Sequence, residues 1–433
     1  MNISRFIARR ITFQQSQGFT KLIIKIGIVA VALSVSVMII STSLFKGFKS
    51  EISNKVFDFW GHIHISDSNT KRTFEAIPID FDQEMVDRLE SMEPQTYQAV
   101  KSNIFGRETS GFTEKETKGS IKNVSPFIIT PAILDTNKEF EGIYLRGLTA
   151  DYEWARLDGF LKKGRWIDFA DSTSQKELVI SLNTANRLGK DLGDMIIVNL
   201  VLEGQQIRKR MEIVGIYNTG IEEYDKQFAI VDMKLLQIAM DWDSTLVAGY
   251  EVILDYPEDM AVWNEYIYIE ELPASLYCET IREKFDNIFG WLNLQDINER
   301  VIFLLMIIVA VITMITTYLI LILERTHTIG VLKSLGATSR DVVKIFLYCA
   351  FYIITRGMLL GNLIGLGLCW IQQQFYLIKL DEVNYLVDRA PVLFDVWTII
   401  LINLGVLSIT LLFLLIPSLL IASIKPVRIF RFN

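Results

Sequence analysis

The stretch Val301–Leu323 reads VIFLLMIIVAVITMITTYLILIL and holds no charged residue along its 23 positions. At about 1.5 Å of rise per residue, a helix of this length crosses the roughly 30 Å hydrocarbon core of a bilayer. Residues 26–44 and 396–424 form two more charge-free runs, and residues 345–378 form a fourth, which only Arg356 interrupts. The sequence therefore predicts four membrane-spanning helices.

The composition supports this prediction. The chain has 433 residues, of which 51% are apolar, and a mean hydropathy of +0.31, yet it carries 43 basic and 50 acidic residues. Charged and apolar residues must therefore occupy different segments. The first charge-free run is too long for a signal peptide, so we expect an uncleaved anchor.

Basic residues predict the orientation of the chain. Residues 1–25 carry five Lys or Arg and no acid, and residues 324–344 carry four against two acids. Residues 373–395 carry two against four acids. Basic segments stay in the cytoplasm, so we expect both termini and the 324–344 loop there. The long segment between the first two spans is then expected outside.

In this outer segment, residues 45–300, 28 basic and 44 acidic residues give a net charge of −16. The charge argues against nucleic acid or anionic lipid as a ligand of the segment. Its one cysteine, Cys278, cannot form an internal disulfide, so a packed core must hold the segment together. Strand-like runs alternate with helical patterns, which predicts an α+β domain of two subdomains. Residues 286–300 mix apolar and charged positions, which predicts a helical stalk leading into the second span.

The predicted fold is thus an α-helical membrane protein with four transmembrane helices and a large α+β domain between helices 1 and 2. In that domain, the predicted strands are 62–66, 127–130, 142–145, 178–181, 195–201, 211–217 and 248–254, and the predicted helices are 82–92 and 183–188. The predicted segments are a cytoplasmic N-terminal segment at 1–25, transmembrane helices at 26–44, 301–323, 345–372 and 396–424, an outer domain with its stalk at 45–300, a cytoplasmic loop (the inner loop) at 324–344, an outer loop at 373–395 and a cytoplasmic tail at 425–433.

The inner loop begins ERTHTIGVLKSLGATSRD at residues 324–341. Ile329, Leu332 and Leu335 recur every three residues, which predicts one short amphipathic helix. Gly336 suits the end of that helix, and the TSRD pattern is a capping box that starts the next helix. The residues themselves leave two interpretations with equal weight: a connector resting on lipid headgroups, or a helix that docks on a partner.

This loop resembles the coupling-helix segment of bacterial ABC permeases of the mechanotransmission type. In that family the segment reads Glu, a few residues, then Ile-Gly-x-Leu-Lys-x-Leu-Gly-Ala. The resemblance implies that the helix contacts a cytoplasmic ABC ATPase. The matching residues, which we expect to make this contact, are Ile329, Gly330, Val331, Leu332, Lys333, Ser334, Leu335, Gly336 and Ala337.

The resemblance extends over nearly the whole chain. Residues 177–194 are similar to the family's outer-domain motif, in which Leu-Gly and Gly-Asp follow a strand and a helix. Four further segments resemble the lipoprotein-releasing branch of the family: residues 215–225, 291–293, 385–391 and 417–426. One span followed by a large loop and three further spans is also the family's arrangement.

The resemblance implies a permease subunit that is not an enzyme. The sequence holds no Gly-x-x-x-x-Gly-Lys-Ser/Thr phosphate loop, so we expect ATP and Mg²⁺ in a separate ATPase and no cofactor or metal in this chain. It also lacks a Gly-x-Ser-x-Gly elbow and a His-Glu-x-x-His motif. His62 and His64 lie two apart on a predicted strand and could share a metal, but no third ligand is visible, so we favour structural histidines.

In the third span, Gly357, Gly361 and Gly365 recur every four residues and predict a close helix-packing surface, within the chain or between two permeases. Arg356 stands about 15 Å into this span by helical rise, where a charge is expected to face protein or water. In the alternative, the span starts later and Arg356 snorkels towards the cytoplasmic interface. The sequence leaves both open.

The function follows from the resemblance as an expectation. A permease of this class pairs with a second permease, identical or related, and with two copies of a cytoplasmic ATPase, in the inner membrane of a two-membrane bacterium. ATP-driven motion extracts lipoproteins from that membrane and hands them to a periplasmic carrier. The alternative is a non-transporting regulator of a periplasmic cell-wall hydrolase, and a membrane receptor without an ATPase is a third interpretation. Membrane lipid is an expected partner and nucleic acid is not.

Overall fold

The computed structural model describes residues 19–70, 76–102, 108–136, 139–170, 172–202 and 205–423. The chain divides into two compact units. The helical unit comprises the described residues up to Glu51, Gly290–Leu380, and the described residues from Arg389 onward. The sheet unit comprises the described residues of Ile52–Phe289 together with Asp381–Asp388.

The described residues form twelve α-helices and fourteen β-strands, numbered here in chain order. The helices are α1 (Phe19–Trp60), α2 (Gln83–Glu90), α3 (Leu182–Leu188), α4 (Glu222–Gln227), α5 (Met233–Ala239), α6 (Met260–Tyr266), α7 (Ile281–Lys284), α8 (Asp286–Glu324), α9 (Thr326–Ser334), α10 (Ser339–Phe375), α11 (Glu382–Tyr385) and α12 (Val396–Ser423). The strands are β1 (Ile63–Asp67), β2 (Ile79–Asp80), β3 (Thr96–Ser102), β4 (Glu108–Glu116), β5 (Ile121–Asp135), β6 (Phe140–Leu148), β7 (Leu161–Gly164), β8 (Glu177–Ser181), β9 (Met195–Leu202), β10 (Gln205–Tyr217), β11 (Phe228–Asp232), β12 (Leu246–Val247), β13 (Gly249–Leu254) and β14 (Leu276–Thr280).

Four helices of the described chain are long and apolar enough to cross a membrane: α1, α8, α10 and α12. The prediction of four spans is therefore confirmed, but the helices are longer than the apolar runs. α1 continues past Leu44 to Trp60, because charged residues end the apolar run without ending the helix. Gly61, at φ = +72°, follows its last residue. Hydropathy detects the apolar part of a helix, whereas backbone conformation sets its ends.

The residues of the predicted stalk lie on α8, which is one helix from Asp286 to Glu324. Its 39 residues rise about 58 Å, roughly twice the hydrocarbon core of a bilayer. The polar positions at its start therefore lie on the same helix as the apolar residues 301–323.

All four long helices contribute to one buried apolar cluster, the core of the helical unit. Its almost fully buried members come from each of these helices: Val31 and Val35 of α1, Tyr318 of α8, Phe346 of α10 and Val406 of α12. Many apolar side chains on the outward faces are exposed, as expected of helices that meet lipid.

In the sheet unit, ten described strands form one sheet in the order β14-β1-β13-β5-β6-β11-β8-β10-β7, with β9 paired to β10 and β5. The long strand β5 joins two halves, because residues 121–127 pair with β13 and residues 128–135 pair with β6. The pairs β8–β10 and β6–β11 are parallel, and the other described pairs are antiparallel. We predicted two subdomains; the structure has two halves of one sheet within a single compact unit.

The seven predicted strands of the outer domain are present as β1, β5, β6, β8, β9, β10 and β13, and the two predicted helices as α2 and α3. The prediction missed the hairpin β3–β4. Strand β4 reads ETSGFTEKE and has no alternating apolar face to indicate a strand. Among the described strands it pairs only with β3, outside the large sheet.

Candidate functional site

The inner loop forms the short helix α9, and hydrogen bonds fix where it ends. The N–H of Ala337 donates to the carbonyl of Leu332 at 3.0 Å, and the N–H of Gly336 donates to the carbonyl three residues earlier at 3.1 Å. With Gly336 at φ = +93°, this is a Schellman cap. Helix α10 starts directly afterwards with the predicted capping box: the N–H of Asp341 donates to the hydroxyl of Thr338 at 3.3 Å, and the N–H of Thr338 donates to the carboxylate of Asp341 at 3.2 Å. The hydroxyl of Thr338 also donates to this carboxylate at 2.6 Å.

The predicted apolar stripe of α9 points in two directions. Ile329 is fully buried in the core of the helical unit, and Leu332 is half-buried against the same core. Leu335 is instead 80% exposed, and Val331, one turn earlier, is also exposed. His327 is exposed one turn before that. One face of the helix thus packs against the core of the helical unit. The other face is exposed and carries His327, Val331 and Leu335, which we call the exposed row.

The other residues predicted to contact an ATPase divide in the same way. Gly330 is buried, Lys333 and Ala337 are half-buried, and Ser334 and Gly336 are exposed. Only part of the predicted set can therefore be reached from outside the chain, and its contact with an ATPase stays a prediction.

The three glycines of α10 face α1 of the same chain. A Cβ on Gly357 would lie 2.7 Å from the Cβ of Val31, and a Cβ on Gly361 would lie 2.6 Å from the carbonyl oxygen of Ala32. A Cβ on Gly365 would lie 3.1 Å from the backbone of α1. The absence of side chains lets the two helices approach more closely than other residues would allow.

Two asparagines join α10 to α12. Nδ2 of Asn362 donates to Oδ1 of Asn403 at 2.7 Å, and Nδ2 of Asn403 donates back to Oδ1 of Asn362 at 2.9 Å. Each amide also donates to the carbonyl four residues earlier on its own helix, at 2.8 Å in both cases. The pair satisfies polar groups that lipid could not. Arg356 lies near the middle of α10 with its side chain exposed, away from the core.

Polar side chains also tie α1 to α8 and α12 within the helical unit. Nζ of Lys46 lies 2.5 Å from the carboxylate of Asp395, directly before α12, and Nζ of Lys49 lies 2.7 Å from that of Asp296 in α8. Lys46 and the hydroxyl of Thr398 hold the pKa of Asp395 well below its usual range. The side chains of both pairs are a third or more exposed, so each pair adds little stability by itself. They place three helices relative to one another.

In the sheet unit, side chains cap the last carbonyls of α1. Arg146 donates to the carbonyl of Phe59, and Arg156 donates to a carbonyl two residues earlier. Nε2 of His64 donates to the carbonyl of Trp60 at 2.7 Å. The carbonyls of Phe59 and Trp60 have no partner inside the helix, whereas that of Phe57 also accepts from the N–H of Gly61 at 2.7 Å. Positive charge is favourable at this negative end of the helix dipole. We call this arrangement the α1 cap.

Glu251 balances the charge of the α1 cap. Its carboxylate lies 2.5 Å from Nη2 of Arg146 and 3.6 Å from Nη1 of Arg156, and it accepts from the hydroxyl of Tyr152 at 3.1 Å. Burial opposes the charge of Arg146, but Glu251 raises its pKa overall. Burial and Glu251 raise the pKa of Tyr152 to about 12. Sequence reasoning missed this cluster because its two main members stand 105 positions apart, without any local spacing that would reveal the pair.

His62 and His64 form hydrogen bonds inside the chain, as expected of structural histidines. Nδ1 of His62 accepts from the N–H of Leu254 at 2.8 Å, and Nδ1 of His64 lies 3.0 Å from Nζ of Lys284. Burial and two nearby arginines lower the pKa of His62 to about 3. Burial and Lys284 lower the pKa of His64 well below its usual value. Both side chains are therefore neutral.

The motif at residues 215–225 ends in a closed loop. The carboxylate of Asp225 accepts from the N–H and hydroxyl of Thr219, at 3.0 and 2.9 Å, and from the N–H of Gly220 at 3.1 Å. Burial raises the pKa of Asp225 in spite of these bonds. Gly220 has φ = +77°, and a Cβ there would overlap the side chain of Glu382 in α11. The side chain of Glu382 could move aside, so it is the positive φ that favours glycine at this position.

Comparison with known proteins identifies the family. The MacB-like periplasmic core domain matches residues 22–262, more than half of the chain, and the FtsX-like permease C-terminal region matches residues 300–426. The chain belongs to the family of FtsX-like permeases with a MacB-like periplasmic core. The described part of the permease thus has four spanning helices, with a periplasmic α+β domain between the first and the second. The match to the C-terminal region covers the inner loop and confirms the resemblance to ABC permeases.

The permease is similar to curated relatives over nearly its whole length. It is 21% identical to the lipoprotein-releasing system transmembrane protein LolE of Haemophilus influenzae, over 99% of each chain. It is also 21% identical to the lipoprotein-releasing system transmembrane protein LolC of Neisseria meningitidis serogroup B, over 98% of each chain. The solved periplasmic region of MacB from Actinobacillus actinomycetemcomitans is 12% identical, with a TM-score of 0.33, over 52% of the permease and 92% of that structure.

Proposed function

We propose that the permease is a subunit of an ABC complex of the bacterial inner membrane that extracts lipoproteins from this membrane and releases them to a periplasmic carrier. Its similarity to two lipoprotein-releasing proteins over almost the full length of each supports this substrate. Both termini and the inner loop are cytoplasmic in this proposal, in line with the distribution of basic residues. A second permease subunit, identical or related, and two copies of a cytoplasmic ATPase complete the complex.

The exposed row of α9 is the observation that carries the proposal. Val331 and Leu335 are apolar, yet they point away from the core of their own unit. An apolar face on a short helix fits a contact in which the helix lies in a groove of a partner protein. The Schellman cap after α9, the capping box of α10 and the buried Ile329 hold the row in a fixed position, so a displacement of the row would reach α8 and α10.

The chemical step belongs to the partner in this proposal. The ATPase subunits bind ATP and Mg²⁺, and the permease itself has no catalytic role. ATP-driven closure of the ATPases moves α9, and α8, one unbroken helix between Glu324 and Asp286, carries the motion to the periplasmic side. The energy of hydrolysis thereby reaches the domain that hands over the lipoprotein.

Co-purification tests the contact with the ATPase. The tagged chain is isolated from its native host in a gentle detergent, and mass spectrometry identifies what accompanies it. We expect an ABC ATPase to accompany the wild type and to be lost with Leu335→Asp, because the new charge would face the apolar groove of the ATPase. Leu377→Asp is the matched control, since Leu377 is 69% exposed but lies in the outer loop. Leu332 is less suitable for this test because it packs on its own core.

An ATPase that stays bound to the Leu335→Asp variant would contradict the docking role of the exposed row. A wild-type chain that purifies without any ATPase would favour the receptor interpretation. A cell-wall hydrolase among the partners, in place of a lipoprotein, would favour the regulator interpretation.

A further inference from the structure

A groove of about 480 Å³ lies between α10 and α12 in the helical unit. Lys344, Tyr348 and Phe351 line it on α10, and Ser408 and Leu412 are among the residues that line it on α12. This volume lies within the range of sites that hold small organic ligands.

The groove lies towards the inner-loop end of the two helices. The outer loop joins the end of α10 to the start of α12, and the asparagine pair holds the helices together as antiparallel neighbours. Lys344 is close to the start of α10, so it marks the inner end of the groove, and Phe351 lies about 10 Å farther along the helix. The groove therefore covers about a third of the hydrocarbon core, on the inner-loop side.

The groove is positive at its mouth and apolar inside. Lys344 is the one charged residue among the described residues that line it. Arg340, one turn before it, is also exposed. The inner loop has only two acids, and one of them, Asp341, uses its carboxylate to cap α10. An apolar groove that ends at cationic side chains suits an amphiphile with an anionic head and an apolar tail.

We propose that this groove binds one anionic phospholipid of the membrane. Its phosphate lies at Lys344 and Arg340, and the part of one acyl chain nearest the headgroup lies along the leucines of α12. The outer segment, with its net charge of −16, does not share this preference. The inference goes beyond the proposed function, because it depends neither on the ATPase nor on the lipoprotein.

Lipid retention measured by native mass spectrometry tests the site. The full chain is purified in detergent with its co-purifying subunits, and phosphatidylglycerol or phosphatidylcholine is added. We expect one phosphatidylglycerol to be retained more tightly than phosphatidylcholine. Lys344→Gln should weaken this binding about fivefold, the effect of one cation near an anionic surface. Lys25→Gln, the same loss of charge at an exposed position in α1, is the matched control and should leave it unchanged.

A groove-filling variant provides a second, independent test. Leu412 is exposed along the groove, so the larger side chain of Leu412→Trp would fill the groove without disturbing the core. We expect this variant to lose lipid retention. Leu404→Trp is the matched control, since Leu404 is exposed on the same helix and does not line the groove.

Equal retention of the two lipids, or unchanged binding of phosphatidylglycerol to Lys344→Gln, would overturn the anionic-lipid site. Binding that survives Leu412→Trp would place the lipid elsewhere. A wild-type complex that retains no added lipid, as when a second subunit covers the groove, would overturn the proposal as well.

Discussion

His62 is a neutral side chain inside the sheet unit, with a pKa lowered to about 3 by burial and nearby arginines. In the unfolded chain a histidine titrates near 6.5. Below that pH the unfolded state takes up a proton that the folded state does not, so the free energy of unfolding falls as the pH falls from 6.5 towards 3. His64 acts in the same direction.

Acidification should therefore destabilise the sheet unit. For His62 alone, the free energy of unfolding should fall by about 2 kcal/mol between pH 6.5 and pH 5. His62→Gln keeps an acceptor for the N–H of Leu254 but removes the titration, so its unfolding midpoint should depend less on pH. Thermal unfolding of the full chain followed by tryptophan fluorescence at several pH values measures this. His327→Gln, at an exposed histidine, should retain the wild-type profile. A His62→Gln profile as steep as that of the wild type would contradict the account.

The asparagine pair makes a second prediction for single residues. Asn362→Leu leaves the amide of Asn403 without its partner across the helices, and we expect a loss of about 1 kcal/mol of stability in detergent or lipid. Replacing both asparagines by Leu should restore part of this loss, because no polar group is then left unpaired between the helices. A double variant that is less stable by the sum of the two single losses would argue against coupling.

At the scale of elements, the α1 cap predicts how firmly the end of α1 is held. Arg146→Met leaves the buried Glu251 with the hydroxyl of Tyr152 and the more distant Arg156, so we expect a loss of about 3 kcal/mol in the free energy of unfolding. Arg208→Met is the matched control, since Arg208 is 60% exposed in its pair with Asp135 and should cost less than about 1 kcal/mol. Denaturant unfolding compares the two variants, and equal losses would contradict the role assigned to the cap.

The packing of α10 on α1 predicts opposite results for two glycines of the same helix. In Gly361→Ala the added methyl group would lie 2.6 Å from a backbone oxygen of α1, so the helices must separate, at a cost of about 1–3 kcal/mol. In Gly367→Ala the methyl group meets open space, and the higher helix propensity of Ala should stabilise the chain by up to about 1 kcal/mol. Thermal melting in detergent should therefore shift in opposite directions, and a common shift would contradict the packing.

Local patterns predicted the elements that local residues determine. The cap at Gly336, the capping box of α10 and the stalk in α8 each depend on residues within one or two turns. The direction of Leu335 could not be predicted, because the core that takes up Ile329 and Leu332 is built by other helices. The end of α1 at Trp60 was missed because two of its caps, Arg146 and Arg156, stand 87 and 99 positions from the carbonyls that they cap.

At the scale of the whole molecule, charge and hydropathy predicted the arrangement of spans and domain, but not how the domain is built. The strand β5 serves both halves of the sheet, and β8 pairs in parallel with β10. Such pairings join distant parts of the chain, and alternation along one strand does not reveal its neighbours. The candidate site was found through the resemblance of residues 329–337. The α1 cap and the groove between α10 and α12 could be recognised only in the folded chain.

The most direct test of the central claim is lipoprotein release from proteoliposomes that contain the permease with its co-purifying subunits. We predict release to an added periplasmic carrier only when ATP is present, and at least about a tenfold lower rate with Leu335→Asp, equivalent to about 1.4 kcal/mol or more. The Leu377→Asp control should release lipoprotein at the wild-type rate. Release without ATP, or wild-type release by Leu335→Asp, would contradict a permease driven through the exposed row of α9.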